Sequence, residues 1–161
     1  MASDTQPESP LGMHETSVRV RYGEVDRMGY VYHGHYLVYF EEGRTELLRS
    51  LGATYRQLED DGTLLVVVET GQRFLRPAGY DDDLTIRTSL TRMRGVRLRF
   101  EYEVRREAGV LATGFTVLAA CDKAGRPRRL PATLRDLLGR DAGSAGPRKE
   151  EHPSDVQGAK S

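Results

Sequence analysis

The chain has 161 residues, enough for one domain with a real core. Its 24 basic and 24 acidic side chains leave a net charge near zero, which argues against a nucleic-acid binder working through phosphate electrostatics. The longest apolar run, Leu64 to Val68, is far short of a membrane span, and a lone cysteine, Cys121, excludes a disulfide framework or a cysteine zinc cluster within the chain.

Residues 1–14 are polar and proline-containing and read as a loose arm; they show no basic and apolar signal-peptide pattern, and a reducing cytoplasm is expected. Val18, Val20 and Tyr22 alternate with Arg19 and Arg21, so a strand is expected over Ser17 to Tyr22, with Tyr22 on its apolar face. A short loop carrying Asp26, Gly29, His33 and Gly34 follows. From about His35 the period changes: Tyr36, Phe40, Gly43, Leu47 and Leu51 share one helical face. A mid-helix glycine costs about 1 kcal/mol against alanine, and its expected return is close approach of the helix to a sheet. Gly52 is the expected C-terminal cap, with a short helical turn over Thr54–Leu58.

From Asp61-Gly62 to about residue 122 the pattern is β. Leu64–Thr70 leads into Gln72–Leu75, with a bend or bulge expected at Gly71. Leu84 to Leu90 and Val96 to Val104 alternate cleanly. Val110 to Cys121 is apolar on both faces and is expected to be central, with Cys121 an inert core residue. Pro131–Leu138 reads as a terminal helix. Residues 141–161 are rich in glycine, serine, proline and charge, and cannot bury enough surface to fold alone. The folded body is thus 15–140 and α+β, with one long helix on one face of a curved antiparallel sheet.

The loop before the helix carries the chemistry. Asp26 is placed near a helix N-terminus, where unpaired N–H groups and the positive end of the macrodipole gather. Those N–H groups could polarise a carbonyl oxygen, and a base or nucleophile beside them suffices for acyl transfer. The chain has no G-x-S-x-G elbow, P-loop or dinucleotide-binding glycine motif. Asp26 could equally cap its own turn. His33 could bond Asp26, orient a water or simply pin the loop. His33 and His35 diverge at a helix start and lack a third ligand, so a metal is not expected. Tyr22 could be core or a phenol partner for Asp26.

Tyr22, Asp26, Gly29, Val31, His33, Tyr36, Phe40-Glu41 and Arg44-Thr45-Glu46, with the later Arg76-Pro77-Ala78 and Tyr80, together resemble the 4-hydroxybenzoyl-CoA thioesterase-like family of the hot dog fold, including its short-chain and Tol-Pal-associated acyl-CoA thioesterase branch. The resemblance covers the folded body. It departs at Gly34-His35, where the family carries a small residue and then Asn or Ser. It implies that Asp26 is the catalytic carboxylate, that a backbone N–H near His33 holds the thioester oxygen, and that Tyr22 and the His33 side chain are secondary functional positions. It also implies an active site between two subunits, in dimers that often pair into tetramers.

The expected activity is hydrolysis of an acyl-CoA, or of an acyl carrier protein thioester, to the free acid and thiol. No metal or redox cofactor is needed, because a thioester is already activated. Gly34 would bind substrate through its backbone. Arg92 and Arg94, around Gly95, would suit CoA phosphates, or else form a solvated hairpin. An acid on the helix, Glu41 or Glu42, is the alternative used by a second branch of hot dog thioesterases. A hydratase or dehydratase, and a non-catalytic acyl-CoA-binding protein, are the rival functions.

Overall fold

A computed structural model of the protein describes residues 10–141. The proposed terminal arm and tail therefore fall largely outside the described residues. The element order is β1 (Gly12–Arg19), a 3-10 turn (Tyr22–Glu24), α1 (His35–Ser50), α2 (Tyr55–Asp60), β2 (Leu64–Phe74), β3 (Asp83–Arg94), β4 (Arg97–Arg106), β5 (Gly109–Cys121) and α3 (Ala132–Asp141). The five strands form one antiparallel sheet in the order β1-β3-β4-β5-β2. With α1 packed on one face, this is the hot dog arrangement.

Helix α1 follows the 3.6-residue period: Tyr36, Phe40, Gly43 and Leu47 are buried, together with Tyr39, Arg44 and Leu48 on their flanks. The helix packs over β1, β3 and β4. At its centre the Phe40 ring stacks on Tyr102 of β4, with centroids 4.3 Å apart and planes at 8°. Gly114 of β5 makes room for that ring, since a Cβ there would lie 2.6 Å from Phe40 Cζ. Gly52 ends the helical region at φ +89°, a conformation only glycine adopts without strain. Thr54 then caps α2 by accepting from the Gln57 N–H at 3.2 Å. At the far end, Leu130, Leu134 and Leu138 recur four residues apart and seat α3 on the core.

Three expectations about the sheet are corrected. β1 starts at Gly12, inside the supposed arm, because its backbone pairs with β3 from Gly12↔Leu90 onward whatever the side-chain pattern. It also ends at Arg19, so Tyr22 leaves the sheet. The bulge in β2 falls between Val67 and Glu69 rather than at Gly71. Gly71 serves packing instead: a Cβ there would lie 2.6 Å from the Phe115 ring. β5 lies inside the sheet between β4 and β2, as its two-sided apolar pattern predicts, and β2 beyond it is an edge. The edge exposes Val66, Val67 and Val68, at 43 %, 49 % and 49 %. No described helix is long and apolar enough to cross a membrane.

Candidate active site

After β1 the chain is tied to the start of β3 by Val20 N–H to Asp82 O (3.0 Å) and Asp81 N–H to Val20 O (3.0 Å). The 3-10 turn then delivers it into a tight hairpin. Val25 bridges Val31, Asp26 N–H donates to Tyr30 O at 2.8 Å, and Tyr32 N–H donates to Glu24 O at 2.9 Å. Gly29 turns the tip at φ +80°. Val31 N–H reaches Ala78 O at 2.8 Å, fixing the hairpin to the connection between β2 and β3.

Asp26 sits at the base of this hairpin. Its Oδ1 accepts from the N–H groups of Met28 (2.9 Å) and Tyr30 (3.3 Å). Its Oδ2 has no partner among the described residues. The two readings of Asp26 are therefore compatible: one oxygen shapes the turn, and the other is free for chemistry.

The start of α1 supplies the complementary half. His35 N–H is spent on Tyr32 O (2.9 Å) and Leu37 N–H on Gly34 O (3.3 Å). The N–H groups of His33 and Gly34 have no partner among the described residues. Gly34 is the N-cap, at φ −66° and ψ −26°, and makes no side-chain cap. The departure from the family pattern at Gly34-His35 thus leaves the helix end without a side-chain oxygen, and its N–H groups open to a ligand. A Cβ on Gly34 would also lie 2.9 Å from the Tyr32 ring.

Asp26 and His33 line one cleft of about 420 Å³, whose walls are Met28, Tyr30, Val31 and Tyr36 on one side and Phe74 to Pro77 on the other. Tyr36 meets Phe74 edge-on, with centroids 5.0 Å apart. Burial pushes the Tyr36 phenol above its ordinary range, opposed by a hydrogen bond with the Ala78 backbone. A larger hollow of about 670 Å³ lies on the outer face of the sheet around Arg73, Arg99 and Phe115. It has no acid beside open N–H groups, so the smaller cleft is the candidate site.

Asp26 and His33 thus line one cleft, and Gly34 follows His33 in the chain without being one of its walls. The His33 side chain is exposed and lies against the Tyr32 ring, at 4.2 Å between centroids, with no hydrogen bond to Asp26. Tyr22 is 78 % exposed and meets Tyr80 edge-on at 5.5 Å, because the 3-10 turn rotates it out of the sheet; it is neither core nor a partner of Asp26. Arg92 and Arg94 are exposed at the opposite end of β3 from Asp83, which pairs with Arg19 beside the loop. At the usual strand rise Arg92 lies roughly 30 Å and Arg94 roughly 36 Å along β3 from that end. Glu41 and Glu42 are solvent-exposed, with Glu41 3.8 Å from Arg44. No group of three metal-ligating side chains occurs among the described residues. Sequence reasoning missed Phe74 and Leu75 as cleft walls and Glu24 and Tyr39 behind the loop. Only the proximity of Glu24 to Asp26 hinted at any of them.

Comparison with known proteins gives the chain its class. The thioesterase superfamily profile matches residues 28–113, starting two residues after Asp26. An acyl-CoA thioesterase, YbgC, of Haemophilus influenzae is 36% identical over 127 residues, covering 74% of this chain and 93% of that protein. An acyl-CoA thioester hydrolase, YbgC, of Escherichia coli is 34% identical over 119 residues, covering 73% and 89%. A hypothetical protein of Thermus thermophilus, TT1821, superposes with a TM-score of 0.75 at 36% identity, over 78% of this chain and 97% of its own. A DHNA-CoA thioesterase of Staphylococcus aureus superposes with a TM-score of 0.74 at 26% identity, over 81% and 87%. The chain belongs to the thioesterase superfamily and is a thioester hydrolase.

Proposed function

We propose that the protein hydrolyses acyl-CoA thioesters in the cytoplasm, as a member of the 4-hydroxybenzoyl-CoA thioesterase-like branch. The observation that carries this is the unpaired Asp26 Oδ2 in a cleft that is also lined by His33, just before the open start of the helix. The thioester carbonyl oxygen accepts hydrogen bonds from the His33 and Gly34 N–H groups, which become stronger as it turns into an oxyanion. Asp26 then acts in one of two ways. As nucleophile, Oδ2 bonds to the acyl carbon, the C–S bond breaks, CoA leaves as thiolate, and water cleaves the mixed anhydride. As general base, Oδ2 takes a proton from water as the oxygen attacks; the tetrahedral intermediate expels the thiolate, which recovers a proton. Neither route calls for a metal or redox group.

A second copy of the chain completes the picture. The unpaired edge of β2, with Val66 to Val68 exposed, and the exposed Leu37 and Val38 of α1 favour a homodimer, which could pair further into a tetramer. Arg92 and Arg94 serve CoA phosphates only if a subunit contact brings them to a neighbour's cleft. An acyl carrier protein thioester meets the same reacting groups.

The test is thiol release from a panel of acyl-CoAs by the native protein and by Asp26→Ala. Turnover that falls about 100-fold or more in the folded variant supports the reading. Binding of the esters with no thiol release would make the protein a non-catalytic binder and remove Asp26 from the chemistry.

A further inference from the structure

We infer that Glu24 is a positioning residue, whose carboxylate holds the Asp26 hairpin to helix α1 through Tyr39 and so sets Asp26 against the open helix end. The inference rests on the role of Asp26 proposed above. Residues 24–32 form a unit closed on itself: Tyr32 N–H to Glu24 O, Asp26 N–H to Tyr30 O, and the two bonds into Asp26 Oδ1. Such a unit keeps its shape but can still tilt as a body. One limb is fixed to the β2–β3 connection by Val31 N–H to Ala78 O and by the Tyr30↔Gly79 bridge.

The other limb is fixed by Glu24. Its Oε2 accepts from the Tyr39 hydroxyl at 2.7 Å and from the Arg21 N–H at 2.9 Å. Two donors from different directions on one oxygen define its position. Tyr39 is itself 1 % exposed, one turn into α1, so the anchor does not move. Burial first, and the bond to Glu24 second, push its phenol well above the ordinary range, so the donor proton stays in place at any working pH. Among the described residues this is the one side-chain hydrogen bond between the hairpin unit and α1. The intervening link, His33-Gly34, makes no side-chain cap and is braced by the backbone bonds His35 N–H to Tyr32 O and Leu37 N–H to Gly34 O, so Glu24 is the side-chain tie that complements them.

A catalytic group displaced by about 1 Å can lose about 100-fold in rate. In a thiol-release assay, Glu24→Ala should lower kcat by about 10- to 100-fold and change KM by less than about 3-fold. Tyr39→Phe should shift kcat the same way by less. Glu24→Gln should recover most of the loss, because an amide oxygen still accepts from both donors. The double variant Glu24→Ala/Tyr39→Phe should be no slower than Glu24→Ala alone, since both remove the same link. Native kcat in Glu24→Ala, a loss confined to KM, or losses that multiply would overturn the inference. So would a loss in Glu24→Gln as large as in Glu24→Ala. If Glu24→Ala does not fold, Tyr39→Phe and Glu24→Gln decide by the same criteria. If the native chain releases no thiol, the thioesterase reading fails and the link is judged by amide exchange. Faster exchange in Tyr39→Phe at Arg21 and Val31, whose N–H groups tie the unit to its surroundings, then sustains it, and unchanged exchange rejects it.

Discussion

Gly43 of α1 faces Thr88 of β3 so closely that a Cβ at position 43 would overlap Thr88 Oγ1 and lie 3.1 Å from Ile86 Cγ2. Thr88 and Ile86 are fully buried on the sheet and cannot move aside. Gly43→Ala therefore gains about 1 kcal/mol of helix propensity but meets an overpacking penalty of about 1–3 kcal/mol. The net expectation is destabilisation. Thr88 Oγ1 is buried without a partner, so Thr88→Val should be neutral or stabilising by about 1 kcal/mol. Urea unfolding of both variants checks the pair; a more stable Gly43→Ala would mean that the sheet yields.

The double duty of Asp26 separates two replacements. Asp26→Asn keeps an oxygen for the Met28 and Tyr30 N–H groups, while replacing the free Oδ2 with a non-basic amide. Its melting temperature should stay near native while activity is lost. Asp26→Ala should lose activity and also about 1–2 kcal/mol of stability, having removed the acceptor for both loop bonds. Parallel melting and thiol-release curves distinguish the two.

Alkaline pH should unfold the protein through its buried phenols. Burial pushes Tyr102 up to about 12, with the hydrogen bond to Thr116 and the nearby Arg44 opposing, and it raises Tyr36, Tyr39 and Tyr55 as well. Between pH 10 and about 12 the native state thus retains protons that the unfolded chain has released. Stability from these groups is full below pH 10 and falls as pH rises through that window. The urea midpoint followed from pH 9 to 12 should drop, and Tyr102→Phe should weaken the slope. A flat midpoint would contradict the burial of these rings.

The β2 edge predicts the state of assembly. Val67 is 49 % exposed on an unpaired edge strand. Val67→Lys adds a charge of the kind that blocks edge pairing. Sedimentation should give an oligomer for the native protein and a monomer for the variant, with thiol release lost if the cleft needs a second chain. A native monomer would remove the dimer from the proposal.

The amphipathic period of α1, the clean alternation in β3 and β4, and the glycine stop at Gly52 are local properties, which is why they could be read from the sequence. Asp26, His33 and Gly34 were legible for a related reason: they lie in one short segment, where spacing alone puts a carboxylate near a helix start. What the sequence left open depended on distant partners. The backbone of β1 was extended to Gly12 by pairing with β3, against its side-chain pattern. Tyr22 left the apolar face because a 3-10 turn, closed by Glu24, intervened. Arg92 and Arg94 were separated from the loop by the length of β3. Phe74 and Leu75 became cleft walls only when the end of β2 came up beside Tyr36. Periodicity and capping act within a few residues of chain, whereas register, turn rotation and wall placement are fixed by backbone pairing and close packing between segments that the sequence alone does not bring together.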